Sequence, residues 1–221
     1  RLFADQTAAG AIAAVEGRAD PLVTEGLLPP YRIETATVHH LPVRIDLPTT
    51  RMRGGARGIT VLMREGTIDE VAARNAREPL SYRIAMLGDD PRLVACLQAA
   101  ARRARWDGGA PGTGQGLACD RIELAGAIGR VALVAEAGRA GSGGAGAGGG
   151  GGGGGVRVRR LIAAVDIGRV VNRDIALQQL EGGLLFGLGL ALGSATDYAA
   201  GLPTSQRLAA LTLPTLADSP E

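Results

Sequence analysis

A chain of 221 residues with 46% hydrophobic content holds enough apolar mass for one domain or two small ones. Only 3% of it is aromatic, so the core must be built mainly from Ala, Leu, Val and Ile. The formal net charge is +2, from 24 basic and 22 acidic residues, a balance that argues against a dedicated nucleic-acid or anionic-membrane surface. Every basic side chain is arginine. A GC-rich coding bias explains that most simply, although arginine's fork also suits phosphate and carboxylate groups. The sequence starts at Arg1 rather than a methionine, which suggests a processed chain or a fragment. It shows no signal peptide and no apolar run near the ~20 residues of a membrane helix.

Residues 1–29 read as a weakly structured N-terminal segment with one short helical stretch, AAGAIAAVEG. From Pro30 the pattern alternates as strands do, through Tyr31, Ile33 and Thr35 and later Val43, Ile45 and Leu47. His39 and His40 fall in this region. Neighbours in a strand point to opposite faces, so they are poorly placed to share a metal and read as ordinary strand histidines.

TTRMRGGARG is a glycine–arginine loop, and ITVLMREGTIDEVAARNA reads as a helix with Val61, Ile68, Val71 and Ala72 roughly on one face. Ile59, Leu62 and Met63 lie elsewhere on the wheel, so this first half is either buried on several sides or a short strand. A second short helix starts near Pro79, with Gly88 as its stop. The third is the clearest. Asp89 or Asp90 caps it, Pro91 suits its first turn, and Leu93, Val94, Leu97, Ala101 and Ala104 form its stripe. Cys96 lies on that helix and reads as a buried free thiol. No spacing of Cys96, Cys119 and the histidines suggests zinc or an iron–sulfur cluster.

Two strands follow, GQGLACDRIEL and GRVALVAEAG, and then a third, VRVRRLIAAVDIG. The glycine tract at 138–155 reads as a flexible hairpin insertion between the second and third. A run so rich in glycine loses too much backbone entropy to order itself, and without a GK[ST] ending it is no phosphate loop. From Asp174 to about Leu192 a helix carries the stripe Leu177, Leu180, Leu184, Leu188 and Ala191, with Asn172 or Asp174 as cap. Beyond it, Tyr198 and GLPTSQRLAALTLP suggest a turn and a further strand. The order of elements gives an α+β fold of mixed sheets with packed helices.

Self-contained catalytic groupings are absent: there is no GxSxG elbow, no HExxH and no Ser/His/Asp set. Asp69–Glu70 and Asp89–Asp90 read as solvated faces or caps. Arg51, Arg53 and Arg57 around Gly54–Gly55 are a weak signal for an anion-gripping loop.

Taken together and in order, these segments resemble the molybdenum-binding large (beta) subunits of the xanthine dehydrogenase/aldehyde oxidase family. RGGA resembles the family's RGxG loop, EGTIDEVA its ExFIDELA, EPLSYR its DPlxfR, and the helix ending in Arg105–Trp106 its "agW". GQGLA and VALVAEA resemble two of its strands. AAVDIGRVVNRDIALQQLEGGLLFGLGLAL is similar to avDxGxxvNPdxvxxQxEGgxxxGLgxAL, the most specific of these segments. The resemblance spans Pro30 to Glu221, a partial molybdopterin-binding domain, and looks closest to isoquinoline 1-oxidoreductase-type beta subunits.

The resemblance implies hydroxylation of an aldehyde or N-heterocycle with water-derived oxygen at a molybdenum–molybdopterin cofactor, the cytosine dinucleotide form in this branch. It also implies electrons passing to iron–sulfur clusters on a small partner subunit. Carried over residue by residue, Met52, Arg53, Gly54 and Gly55 match the loop that approaches the cofactor. Gln179, Glu181, Gly182 and Gly183 match the QxEGG segment beside it. Ala56 stands where the second loop glycine is expected, and Arg173 where a proline follows the asparagine. The family's catalytic glutamate lies in a GxGE motif, which is absent here, as are the upstream GFGxK-like and glutamine-bearing cofactor loops; no catalytic residue is assigned to this chain. The sequence therefore resembles the middle-to-late part of such a subunit, expected to bind cofactor poorly alone and to need the rest of the subunit or a complementary chain. The alternative is a catalytically inactive interaction or assembly module. A third reading is an unrelated α+β binding domain whose glycine–arginine loop holds phosphate. Bacterial cytoplasm and periplasm both remain open as the compartment.

Overall fold

The computed structural model describes residues 22–41, 52–124, 126–140, 155–193, 196–204 and 214–221. Three helices come first: α1 (Arg57–Arg74), α2 (Pro79–Met86) and α3 (Pro91–Ala104). Strands β1 (Thr113–Leu124), β2 (Ala127–Arg139) and β3 (Val156–Asp166) form one sheet in that order. Helix α4 (Arg173–Leu192) follows, then a small pair, β4 (Tyr198–Ala199) with β5 (Leu202–Pro203), and a 3-10 turn at Leu216–Asp218. The content is α+β. β4 and β5 pair antiparallel. β1 and β2 are joined only by residues 125–126, far too short for a parallel crossover, so they are antiparallel as well. Links of hairpin length thus give antiparallel pairs where the sequence suggests mixed sheets.

By its internal contacts the chain divides into two compact units: Arg1–Leu97 with Ala118–Val131, and Gln98–Leu117 with Ala132–Glu221.

Local chemistry explains the helix limits. Glu78 caps α2, its carboxylate accepting from the amides of Leu80 (2.8 Å) and Ser81 (2.7 Å), with Pro79 in the first turn. Leu87, not Gly88, closes that helix. Of the two aspartates before α3 it is Asp90 that caps, accepting from the Leu93 amide at 3.1 Å. Asn172 caps α4 through the Ile175 amide at 3.0 Å. Both α1 and α3 end in a Schellman turn, closed by Arg77 N–H to Ala72 O (2.9 Å) and Trp106 N–H to Ala101 O (3.0 Å). The left-handed residue in these turns is Ala76 (φ 50°) and Arg105 (φ 54°), where glycine would carry no steric penalty.

The buried apolar side chains are mainly aliphatic, as the composition requires: Ile68, Ala72, Leu87, Leu93 and Leu97 with Tyr31 in the first unit, and Ala100, Ala101, Ala104, Leu117, Ala132 and Val134 in the second. α3 buries its expected stripe, apart from half-buried Val94, and adds Cys96.

Several expectations fail. The alternating run after Pro30 forms no strand among residues 31–41. Tyr31 is buried, but residues 32–37 are exposed, and among the described residues this alternating segment has no partner strand. His39 and His40 therefore lie outside any strand. The later part of that run, Pro42–Thr50, falls outside the described residues, as do Arg51, residues 1–21, most of the glycine tract and residues 205–213. β2 runs to Arg139, beyond the expected start of the glycine insertion at Gly138. On α1, Ile59, Leu62 and Met63 are exposed, and the buried face is Thr60, Arg64, Glu65, Ile68 and Ala72.

α4 differs most from the expected amphipathic helix. Leu188 is buried and Leu180 and Leu184 are half-buried, but Leu177 and Ala191 of the expected stripe are exposed. Ile175, Leu185 and Leu190 are also exposed, so apolar residues surround the helix. A helix of that kind belongs in the interior of a larger assembly or in a membrane. By length and composition alone α4 is long and apolar enough to cross a membrane. It nevertheless carries Gln178, Gln179 and Glu181 near its middle, groups that hydrocarbon strongly disfavours.

Candidate functional site

α1 turns charged side chains inward, and a dense polar cluster results in the first unit. Glu65 is 4% exposed and Arg83 on α2 has no exposed surface. Arg83 donates from Nε to Glu65 Oε2 (3.0 Å), from Nη1 to Asp69 Oδ1 (2.5 Å), and from Nη2 to the Glu65 carbonyl (3.0 Å). The second Glu65 oxygen accepts from Arg64 Nε at 3.1 Å. Oε2 also accepts from the Tyr31 hydroxyl (2.8 Å) and the Cys119 amide (3.3 Å). Arg64 reaches on to the Gly26 carbonyl (2.6 Å), the Cys119 carbonyl (2.9 Å) and Asp120 (3.1 Å). Each buried charge is paired and makes further hydrogen bonds, the condition under which buried ions are tolerated.

Burial has the expected effect on the neutral members. It pushes the Cys119 thiol up to about 12, helped by the nearby Glu65 carboxylate. Tyr31, its hydroxyl 3.3 Å from that sulfur, is likewise raised, first by burial and then by Cys119 and Glu65. Neither group is available as a base or nucleophile near neutral pH. A second cluster centres on Asp90, which accepts from Arg121 Nε (2.7 Å) and Arg130 Nε (2.8 Å) while capping α3. Burial raises its proton affinity, but the two guanidiniums and the Leu93 amide outweigh that and hold its carboxyl below the usual aspartate value. Asp90 and Asp69 are thus engaged in ion pairs rather than simply solvated.

The glycine–arginine loop leads into α1 in the same unit. Gly55 N–H donates to the Met52 carbonyl at 2.9 Å, closing a tight turn. Gly54 (φ 87°) and Gly55 (φ 57°) are both left-handed, and a Cβ built at Gly54 meets nothing within 4 Å. Met52, Arg53 and Gly54 are exposed, and Gly55 is half-buried. Ala56 occupies the N-cap with no side-chain cap, and the first turn of α1 carries no acid. The Ile59 and Thr60 amides donate to the Ala56 carbonyl, while those of Arg57 and Gly58 meet no backbone acceptor among the described residues. With the positive end of the helix dipole they suit an anionic group. Arg57 is not part of that offer. It donates to Glu25 (3.2 Å) and the Arg121 carbonyl (3.0 Å) and pairs with Asp120. The loop's exit is thereby fixed, and one arginine of the suggested anion grip is spent on structure. Gly26 permits this packing: a side chain there would meet Thr60 Oγ1 at 2.9 Å on a backbone with φ of 81°.

The other predicted residues lie in the second unit on α4. Gln179 and Glu181 are exposed, and Gly182 and Gly183 are half-buried. Gln178 and Gln179 diverge by about 100° around the helix. A Cβ built at Gly182 or Gly187 meets no neighbour within 4 Å, so among the described residues no backbone approaches at these positions. Elsewhere in this unit Gln115 clasps the end of α3. Its side chain accepts from the amides of Asp107 (3.1 Å) and Gly108 (3.3 Å) and donates to the Ala104 carbonyl (3.2 Å).

Sequence reasoning missed the roles of Arg64, Glu65, Arg83 and Asp120. The signal was available: Glu65 and Arg83 stand at fixed positions of the EGTIDEVA and EPLSYR segments, and Arg64 shares the helical face of Ile68 and Ala72. Among the described residues no group of three or more His, Cys, Asp or Glu is arranged to hold a metal ion.

Comparison with known proteins agrees with these segments. Residues 152–220 match the model of the molybdopterin cofactor-binding domain. Over 172 residues the chain is 27% identical to the isoquinoline 1-oxidoreductase subunit beta of Brevundimonas diminuta. That match covers 78% of this chain but 21% of the relative, so the chain spans about a fifth of the relative's length.

Proposed function

Starting from a chain that is a partial molybdenum-binding subunit of the molybdenum hydroxylase family, we propose that it forms part of such a subunit and that the Met52–Gly55 loop of its first unit faces a molybdenum–molybdopterin cofactor. The whole subunit, on this reading, oxidises an aldehyde or N-heterocycle with water-derived oxygen and passes electrons to iron–sulfur clusters on a partner subunit. The cytosine dinucleotide form of the cofactor belongs to the same proposal.

One observation carries it. Gly54 and Gly55 hold an exposed left-handed turn, open at Gly54, directly before an uncapped helix terminus without acids. Backbone amides there can approach a bulky anionic group closely, which a side chain at Gly54 would hinder. Residues Met52 to Gly55 would hold the cofactor by backbone contact, with Arg53 beside it. Gln179 and Glu181 would serve as scaffold on α4, and Gly182 and Gly183 would allow close approach. When bound, the group supplies the redox chemistry. This chain's own residues orient it, and no proton-transfer residue is assigned among them.

The test is metal analysis of the purified complex containing this chain. About one molybdenum per complex is the expected result for a single cofactor site. Gly54→Val should lower that content while leaving the unfolding midpoint of the complex within a few degrees. A complex that never carries molybdenum sinks the proposal and leaves the inactive assembly module, which the broadly exposed apolar surface of α4 also suits.

A further inference from the structure

The last residue of the chain forms a specific main-chain pair with the edge of the large sheet. Glu221 N–H donates to the Arg159 carbonyl at 3.0 Å, and Leu161 N–H donates to the Glu221 carbonyl at 2.9 Å. One residue bonding to both neighbours of Arg160 is the pattern of a parallel ladder; antiparallel partners exchange both bonds between two facing residues. The rung therefore fixes a direction, alongside β3 and the same way. β3 is the outer strand of its sheet. Arg159 and Leu161 face outward, so by the two-residue alternation Ala163 and Val165 do too. Among the described residues no backbone group outside the sheet bonds to either of these amides.

The side chains sharpen the contrast. The half of β3 up to Arg160 carries Arg157, Arg159 and Arg160, as a solvent edge usually does. Leu161, Ile162, Ala163, Ala164 and Val165 contain no charge and no proline, and all five are only half-buried. An uncharged apolar edge, unpaired among the described residues, is a template for another strand. About four-fifths of the relative's length lies outside the part that this chain matches.

We propose that the β3 edge from Leu161 to Val165 is the docking surface for an extended strand of the remaining part of the molybdenum-binding subunit, laid parallel to β3 in the register that Glu221 begins. Its amides bond to the carbonyls of Leu161 and Ala163, and its carbonyls accept from Ala163 and Val165. The sheet then becomes mixed. The inference rests on the functional reading only for the identity of the partner; the edge and direction come from the hydrogen bonds.

Amide hydrogen exchange on the purified complex, resolved to single residues, tests it. Ala163 and Val165 should exchange on the order of a hundredfold more slowly than unpaired amides, approaching the buried positions Ala132 and Val134 of β2. Val165→Pro, which deletes one outward donor, should speed exchange at Ala163 while Ala132 and Val134 stay protected. If this variant loses protection throughout, the wild-type rates decide alone. Exchange at the rate of unpaired amides in the wild-type complex overturns the inference. So does protection that rises with protein concentration alongside a doubled mass, which would give the edge to a second copy of the chain. Molybdenum is measured on the same sample: protection without the metal keeps the strand and removes the functional reading, whereas metal with fast exchange removes the strand alone.

Discussion

Arg83→Met is expected to destabilise the chain by about 3–5 kcal/mol, the range for breaking one side of a buried ion pair. Arg83 has no exposed surface, and its guanidinium serves Glu65, Asp69 and the carbonyls of Glu65 and Pro79. Methionine keeps much of the stem's packing and removes every one of these donors. Glu65 then keeps Arg64 as its remaining cationic partner among the described residues. For a chain of this size each kcal/mol moves the melting midpoint by about 2–4 °C, so the loss should be roughly 6–20 °C. Pairing the change with Glu65→Gln removes the stranded charge. A double-mutant cycle should therefore show about 1–3 kcal/mol of coupling between the two positions. Urea unfolding followed by far-UV circular dichroism reads both quantities. A single-variant loss below about 1 kcal/mol, or strict additivity in the cycle, would refute the assignment of Glu65 and Arg83 as a mutually dependent buried pair.

Other consequences can be checked in the same way. Ala76→Gly should stabilise by about 1 kcal/mol, because glycine relieves a left-handed alanine at an exposed helix end; an unchanged or lower midpoint would count against that geometry. Asp90→Ala should cost at least about 1 kcal/mol from the lost cap, and more from leaving Arg130 without its carboxylate. Since the Asp90 carboxyl is held below its unfolded value, its contribution is complete above about pH 4 and disappears as pH falls further. A melting series from neutral to acid pH should lose its low-pH slope in that variant. Cys119 titrates near 12 when folded, so its contribution is complete below about pH 8.5 and is lost as pH rises toward 12. The thiol should resist alkylation at mildly alkaline pH until the chain unfolds, and prompt labelling of Cys119 in folded protein would contradict its burial.

The helices were readable because punctuation and periodicity agreed. Asp90 before Pro91 and Asn172 before α4 sit where side-chain caps are needed, and α3 kept its apolar stripe. α1 was misread on its buried side because a periodicity search counts apolar residues, whereas this face uses Arg64 and Glu65 to reach Cys119, Asp120 and Arg83. Those partners are 18 or more positions away along the chain, so no local window contains them. The part of the run after Pro30 that is described, residues 31–41, failed for the opposite reason: alternation records strand competence, and strands also need neighbours. The loop at Met52–Gly55 was legible as a glycine turn, but the commitment of Arg57 to Glu25 and Asp120 was not. On α4 the sequence is apolar almost all round, so a stripe chosen from it could not identify the side that this chain covers.

The cluster around Glu65 also bears on how the fold responds to heat. Water holds ions less favourably as temperature rises, so the cost of keeping Arg64, Glu65 and Arg83 out of solvent shrinks on warming. Burial of Leu and Ala side chains gains no comparable advantage. In a chain with only 3% aromatic residues, the balance of cohesion should therefore shift from aliphatic contacts toward the charged cluster as temperature climbs. The part of the first unit that joins α1, α2 and the Cys119–Asp120 stretch of β1 would then be the last to melt.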